Sequence, residues 1–135
     1  MTTENFPKSI EMNIEVKTYD IDVAGHVNNM VYVRWLEDLR NELFSRIYPL
    51  EKLIEINYYP VVISTEMKYK SEIKLFDKPI GRIFLESYSH GVIMLKIEIC
   101  LNDDTAFTAT QKCVLMNLTT HKMLMGSFEK LIQKY

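Results

Sequence analysis

The sequence has few of the features that phosphate-binding loops, hydrolase elbows and membrane spans require. Only 4 of its 135 residues are glycine, and it contains neither a phosphate-loop nor a dinucleotide-binding fingerprint. No Gly-x-Ser-x-Gly elbow surrounds any serine, which argues against an α/β-hydrolase nucleophile. No apolar run approaches the roughly 20 residues that span a bilayer, and the polar N-terminal residues do not resemble a signal peptide. We therefore expect a cytoplasmic protein without a membrane span.

The chain is also poor in cysteine. Cys100 and Cys113 have no metal-ligand spacing and flank a predicted hairpin turn at residues 102–104. In such a hairpin they would lie roughly 20 Å apart along the ladder, which is too far for a disulfide. We expect two buried, reduced thiols. No pair among the 3 histidines has metal-ligand spacing either, so neither a metal nor another cofactor is expected.

The charges of the chain nearly balance, with 16 basic and 18 acidic residues and a net charge of −2. Non-specific affinity for nucleic acid needs a clustered excess of basic residues, so no nucleic-acid partner is expected. A length of 135 residues with 47% hydrophobic content suits one soluble domain. The sequence contains no repeat or linker, and we predict a single domain over residues 1–135.

Hydrophobic periodicity predicts one strand, one long helix and then a series of strands. Residues 10–17 alternate apolar and polar side chains, which is typical of a half-buried strand. From residue 29 to residue 47 apolar side chains recur every three to four positions, which indicates an amphipathic helix capped by Asn28 or Asn29. After a connector, strands are predicted over residues 61–70, 80–89, 92–101 and 106–118, and a short helix over residues 127–133.

This order of elements predicts an α+β fold in which a sheet wraps one helix. The turns after residues 89 and 101 are short, so the last three strands should be antiparallel neighbours. One helix covers only part of one face of such a sheet. We therefore expect a second copy of the chain to cover sheet edges or the remaining apolar surface.

The densest polar cluster spans residues 19–29, between the first strand and the helix. Unpaired N–H groups at a helix start carry partial positive charge and can receive a developing oxyanion. A carboxylate held nearby stays ionised and can act as a base or a nucleophile. Together they suit thioester hydrolysis, because a thiol with a pKa of about 8.5 leaves without a strong general acid. Simple capping by an Asx-rich turn is the alternative interpretation.

Residues 20–40 resemble the signature of hotdog-fold acyl-CoA thioesterases of the 4-hydroxybenzoyl-CoA thioesterase-like family, which is related to the acyl-ACP thioesterases. The shared pattern, Asp-x-Asp-x-x-Gly-His-Val-Asn-Asn-x-x-Tyr, is long and specific. The resemblance implies a hotdog fold, a curved antiparallel β-sheet wrapped around one long central α-helix. It implies a homodimer or a tetramer of dimers that hydrolyses an acyl-CoA, or alternatively an acyl-ACP, to the free acid.

The resemblance also implies roles for individual residues. Asp22 matches the family's catalytic carboxylate, which either activates water or attacks the carbonyl. The backbone N–H of Asn29 matches the group that polarises the carbonyl, and His26 lies where the plant acyl-ACP enzymes have a catalytic histidine. Apart from the resemblance, Gly25 is expected to allow a special backbone shape or a close approach of the substrate, and Tyr32, on the first helical turn, to line the acyl entrance or to pack in the core.

Two positions depart from the family pattern. Ala24 stands where the plant enzymes have a catalytic asparagine, which favours the simpler aspartate-plus-helix site, and Phe76 stands where many relatives have the glycine of a Gly-Asp turn. Asp20 is expected to hold the turn through backbone hydrogen bonds. Glu66 and Glu72 are weaker candidates for a carboxylate that reaches the site from a second subunit.

Other functions stay open on the sequence. A hotdog protein that binds acyl-CoA without turnover would share this pattern. A hotdog dehydratase or hydratase normally pairs a histidine with a carboxylate on the central helix, and no such pair is visible in the predicted helix. Surface cations that could bind the CoA phosphates are Lys68, Lys70 and Arg82.

Overall fold

The computed structural model describes residues 8–126, which form one five-stranded antiparallel sheet, one long helix and one short helix. The strands are β1 (Ser9–Asn13), β2 (Tyr58–Tyr69), β3 (Ile80–Ser89), β4 (Val92–Leu101) and β5 (Asp104–Asn117), and the helices are α1 (Asn29–Ile47) and α2 (Leu50–Glu55). The spatial order is β1-β3-β4-β5-β2, and every neighbouring pair is antiparallel. The predicted α+β class is confirmed. The helix predicted over residues 127–133 lies outside the described residues.

Helix α1 has the predicted bounds, and its ends have clear causes. At the start, Asn28 Oδ1 accepts a hydrogen bond from Met30 N–H at 2.9 Å and so caps the first turn. At the end, Tyr48 turns to an extended conformation and Pro49 follows, which cannot continue a helix in this position. The buried face of α1 consists of Val31, Tyr32, Trp35, Leu36, Leu39 and Leu43.

The buried face of the sheet packs with α1 into one core. In β4 the alternate residues Ile93, Leu95, Ile97 and Ile99 are buried and belong to the same cluster as the helix side chains. Helix and sheet come closest at Gly81 in β3. A Cβ atom at Gly81 would lie 2.8 Å from Ile14 Cδ1 and 2.9 Å from Leu39 Cδ1. The absence of a side chain there allows α1 to pack directly on β3.

Strand β1 ends at Asn13, four residues before the predicted end. Its partner β3 begins at Ile80, which pairs with Asn13. One more hydrogen bond forms, from Ile14 N–H to Pro79 O at 2.9 Å. Proline has no N–H to return a bond, so the ladder stops there although the alternation continues in the sequence.

The predicted connector and two strand starts also need correction. The connector between α1 and β2 contains α2, whose Leu53 is buried. Strand β2 starts three residues earlier than predicted and includes Pro60, which an edge strand tolerates. Strand β5 starts two residues early, at Asp104, which pairs with Leu101.

Both cysteines are free thiols, as predicted. Cys113 is fully buried, and burial raises the pKa of its thiol to about 11. Cys100 is only partly buried, contrary to prediction. The buried residues of β4 have odd numbers from 93 to 99, so Cys100 lies on the other face of the sheet. Within residues 8–126, neither helix is long and apolar enough to cross a bilayer.

Candidate active site

The turn that carries Asp22 is a small hairpin between β1 and α1. Ile21 and Val27 form an antiparallel bridge, and Asp22 N–H donates to His26 O at 2.8 Å. Asp22 Oδ1 accepts hydrogen bonds from Ala24 N–H at 2.9 Å and from His26 N–H at 3.1 Å. Asp22 is exposed, and within the described part of the chain its Oδ2 atom accepts no hydrogen bond. One carboxylate oxygen therefore fixes the turn, and the other is accessible.

Gly25 lies at the tip of this hairpin with a φ of +84°. A Cβ atom at this position would have no heavy atom within 4 Å. The glycine is therefore required by the left-handed backbone conformation, not by a shortage of room. The space in front of the turn is open, which leaves a path to the Asp22 carboxylate.

The start of α1 leaves one donor unused. Met30 N–H donates to Asn28 Oδ1 and Val31 N–H donates to Asn28 O, both at 2.9 Å. Among residues 8–126, no acceptor receives the N–H of Asn29. This group has the partial positive charge of a helix start, so it can donate to an anion or to a polarised carbonyl oxygen.

Asp20 connects the hairpin to the helix start. The residue is 2% exposed, its Oδ2 atom accepts Lys17 N–H at 2.9 Å, and its main-chain carbonyl accepts Asn28 N–H at 2.9 Å. Asp20 Oδ1 lies 3.7 Å from the Arg34 guanidinium. These contacts agree with the expected structural role. Asp22 follows two residues later, in the hairpin that this contact joins to the helix start.

His26 has a carboxylate partner from a distant part of the chain. His26 Nε2 lies 2.9 Å from Glu72 Oε2, in the loop after β2. Glu72 is expected from the sequence only as a contribution from a second subunit, but it contacts His26 within one chain. Glu66 lies opposite Thr110 in the β2–β5 ladder, is exposed, and does not join this cluster.

Aromatic side chains pack beneath the helix start. The Tyr32 ring lies 5.1 Å from those of Trp35 and Tyr69 and 4.7 Å from that of Phe107, measured between ring centroids. Burial, followed by the influence of Tyr69 and Glu72, raises the pKa of Tyr32 to about 12. The structure thus places Tyr32 in the core at 3% exposure.

Tyr69 was not singled out from the sequence. It is the last residue of β2, and its hydroxyl donates to Asn29 O at 3.2 Å. This hydrogen bond connects the end of an edge strand to the first turn of α1. An aromatic residue with a hydroxyl at a strand end is too common a feature to have indicated this contact.

A separate apolar cavity of about 270 Å³ lies at the other end of α1. Phe44 borders it and is 15 residues beyond Asn29, or roughly 22 Å along the helix axis. Other residues lining the cavity include Ile47, Leu53, Leu85, Tyr88 and Leu115. The cavity is thus separate from the polar residues at the helix start.

Arg82 differs from the other two candidate cations for the CoA phosphates. It is paired with Glu11 at 2.8 Å and with Glu98 at 3.5 Å. Lys68 and Lys70 are exposed, near the end of β2 that contacts the helix start. Within the described residues, Arg82 is thus the one of the three candidates that is already paired with carboxylates.

The order of the five strands and the long helix packed on the sheet define a hotdog fold. The chain belongs to the thioesterase-like superfamily, whose family model matches residues 16–129. The family, fold and enzyme class predicted from the motif are therefore confirmed. No curated protein matches the chain significantly.

Solved structures agree in fold. The chain is 20% identical to a DHNA-CoA thioesterase from Staphylococcus aureus, with a TM-score of 0.81, covering 93% of this chain and 89% of that one. It is 23% identical to a probable thioesterase from Escherichia coli, with a TM-score of 0.78 and coverages of 92% and 96%. Another Staphylococcus aureus protein, solved in complex with CoA, is 19% identical, with a TM-score of 0.83 and coverages of 96% and 85%.

Proposed function

We propose that this chain hydrolyses an acyl-CoA thioester to a free carboxylic acid and CoA, with Asp22 as the catalytic carboxylate. One observation carries the proposal: the accessible Oδ2 atom of Asp22 lies one short hairpin away from the unused N–H of Asn29. A base or nucleophile and an oxyanion donor are thus available together. CoA thioesterases among the structural neighbours support the choice of carrier.

In this mechanism the thioester carbonyl oxygen accepts a hydrogen bond from Asn29 N–H. Asp22 then either removes a proton from water as the water attacks, or attacks the carbonyl itself to give a mixed anhydride that water hydrolyses. In both routes the carbon–sulfur bond breaks and CoA leaves as a thiolate. After a single turnover in ¹⁸O-water, label in Asp22 excludes the direct-water route, because label enters this carboxylate only by hydrolysis of the anhydride.

The remaining site residues have supporting roles in this proposal. His26 lies beside Asp22 and orients water or the thioester, and Gly25 gives the turn its shape and keeps its front open. Tyr32 packs in the core beneath the first turn of α1. Reduced Cys100 and Cys113 are compatible with action in the cytoplasm.

A second copy of the chain completes the site in this proposal. Strand β2 is a sheet edge, and its last residue, Tyr69, contacts the helix start. Met30 is 80% and Val33 is 50% exposed on the first turns of α1. A homodimer, or a tetramer of dimers, would pair the β2 edge, cover these apolar side chains and enclose the acyl group between subunits. Sedimentation equilibrium measures the stoichiometry.

Thiol release tests the activity. Short, medium, long and aromatic acyl-CoAs are offered to the wild type, to Asp22→Asn and to Asp38→Asn, an exposed aspartate within α1 that serves as the matched control. We expect Asp22→Asn to lose a hundredfold or more in turnover, roughly 3 kcal/mol of transition-state stabilisation. The amide oxygen can still accept the two turn hydrogen bonds, so the fold is kept. The control should match the wild type.

The alternatives give different results in the same experiment. Saturable binding of acyl-CoA without thiol release by the wild type would identify a non-catalytic acyl-CoA-binding protein. Faster thiol release from acyl-ACP than from acyl-CoA would identify ACP, and not CoA, as the carrier of the acyl group. Hydration of crotonyl-CoA that depends on His26 would favour a hydratase, for which the His26–Glu72 pair is the relevant observation.

A further inference from the structure

We propose that Glu72 is a positioning residue for hydrolysis: it holds the His26 imidazole and, through the His26 backbone, the Asp22 turn. This inference rests on the proposed function. The pair spans 46 positions of sequence and joins the loop after β2 to the hairpin before α1, with 2.9 Å between His26 Nε2 and Glu72 Oε2. The Glu72 side chain is 62% exposed, so the contact depends on the backbone segments that position the two residues.

The two backbones are in register beside this contact. Val27 N–H donates to Ile73 O at 2.8 Å, and His26 forms an antiparallel bridge with Lys74. Val27 and Ile73 are 4% and 0% exposed and join the core. Side chains alternate along extended chains, so His26 and Glu72 project away from the core on a common side. The Glu72 carboxylate is thus held beside the His26 imidazole by a backbone segment that is fixed to the core at Ile73.

The contact reaches Asp22 through a reciprocal pair of hydrogen bonds. Asp22 N–H donates to His26 O at 2.8 Å, and His26 N–H donates to Asp22 Oδ1 at 3.1 Å. A displacement of His26 therefore displaces both the backbone and the carboxylate of Asp22. Glu72 contacts neither the Asp22 carboxylate nor Asn29 N–H in the described structure, so its contact with the Asp22 turn is made through His26.

The Glu72 carboxylate also determines which ring nitrogen of a neutral His26 has the proton. Glu72 can only accept when ionised, so a neutral His26 must have its proton on Nε2, which leaves the Nδ1 lone pair exposed. Within residues 8–126, Nδ1 has no hydrogen-bonding partner. It can accept a hydrogen bond from the water that attacks the thioester. Glu72 also contributes to the raised pKa of Tyr32, which places its charge near the first turn of α1.

The first experiment compares steady-state kinetics of Glu72→Ala, Glu72→Gln and the control Glu86→Ala. Glu86 is an exposed glutamate on β3 outside the site. We expect Glu72→Ala to lower kcat about tenfold with little change in KM, because orientation and not binding is lost. Glu72→Gln should retain at least about a third of kcat, since its amide oxygen still accepts from Nε2–H. Glu86→Ala should match the wild type.

A double-mutant cycle tests whether Glu72 acts through His26. The combination of His26→Ala with Glu72→Ala should be no slower than His26→Ala alone. Independent losses that multiply would overturn the inference. Ring ¹⁵N shifts of His26 supply a readout without substrate: the Nε2–H tautomer should dominate in the wild type and in Glu72→Gln, and weaken in Glu72→Ala.

The outcomes separate the two proposals. If the wild type hydrolyses thioesters and requires Asp22 but Glu72→Ala is fully active, the positioning role is wrong and the proposed function stands. An equal loss in Glu72→Ala and Glu72→Gln also overturns it, because charge rather than orientation would then matter. A wild type that hydrolyses no thioester overturns the function and the inference together.

Discussion

The two ends of α1 are built by different interactions. At its start, exposed groups are fixed by hydrogen bonds: Asp22 Oδ1 to two backbone N–H groups, and Asn28 Oδ1 to one. Toward its end, Leu39 and Leu43 are 0% exposed, and an apolar cavity of about 270 Å³ adjoins the last turns. One helix therefore joins a polar site to an apolar packing region.

This difference separates chemistry from stability. An exposed hydrogen bond contributes about 1 kcal/mol net, whereas a fully buried leucine contributes several. The start of the helix can therefore present an unused N–H and an accessible carboxylate oxygen without endangering the fold. Changes to the exposed polar groups at the start should affect turnover more than stability, and changes to the buried leucines further along should do the reverse.

The largest expected effect on stability is that of Leu43→Ala. The side chain is fully buried in the core, so its truncation should lower the free energy of unfolding by about 3 kcal/mol. Urea denaturation followed by circular dichroism measures the loss. Turnover per folded molecule should stay at the wild-type level. A stable variant with reduced turnover would contradict the separation of the two ends.

Alkaline pH should act on the start of α1 through Tyr32. The pKa of Tyr32 is about 12 in the folded protein, against an ordinary value of about 10, so the unfolded chain loses this proton first. The contribution of Tyr32 to the free energy of unfolding is complete below pH 10. It is lost as the pH rises from about 10 to 12, and the loss is about 2 kcal/mol at most. Cys113, with a pKa of about 11, adds a similar decline that begins near pH 9.

Tyr32→Phe isolates the tyrosine contribution. Denaturation midpoints measured at pH 8, 10 and 11 should fall less steeply in this variant than in the wild type. The part of the decline due to Cys113 should remain. Identical slopes in both proteins would show that Tyr32 ionises as easily when folded as when unfolded.

The smallest expected effect is a gain from Phe76→Gly. Phe76 has a φ of +77° and is 87% exposed, so its side chain adds strain at a left-handed position and little burial. Glycine there should raise the free energy of unfolding by about 0.5–1 kcal/mol. Thermal denaturation measures this change. The control is Leu75→Gly: Leu75 is half-buried and has no positive φ, so glycine there should lower the stability. A loss of stability would mean that the exposed ring contributes contacts that outweigh the strain.

The hydrophobic periodicity of the sequence predicted the first and last residues of some helices and strands correctly. The bounds of α1, β3 and β4 match, because each has an uninterrupted periodicity that ends at a strong turn or cap, such as Asn28 or Gly91. Helix α2 was missed because six residues are too few for a helical period to stand out. The end of β1 depended on Pro79, a residue of the partner strand that the alternation cannot reveal.

The site divides in the same way. The hairpin with Asp22 and Gly25 is local, so spacing in the motif indicated it. Glu72 is 46 positions from His26 in the sequence, and Tyr69 is 40 positions from Asn29. Both contacts depend on the completed sheet. The apolar cavity is likewise formed from several distant segments. Tertiary contacts of this kind leave no fixed spacing in a single sequence.

The close approach at Gly81 links two positions that are 42 residues apart. Because the Leu39 methyl groups and Ile14 Cδ1 occupy the space that a Cβ would need, a side chain at position 81 requires a smaller one at position 39 and a shift of Ile14 Cδ1. Relatives of this chain should thus show correlated exchange: glycine at 81 with leucine at 39, or alanine at 81 with valine or alanine at 39. Evolution at the centre of the fold would proceed in pairs, while the exposed Val23, between Asp22 and Gly25 in the hairpin, can vary on its own.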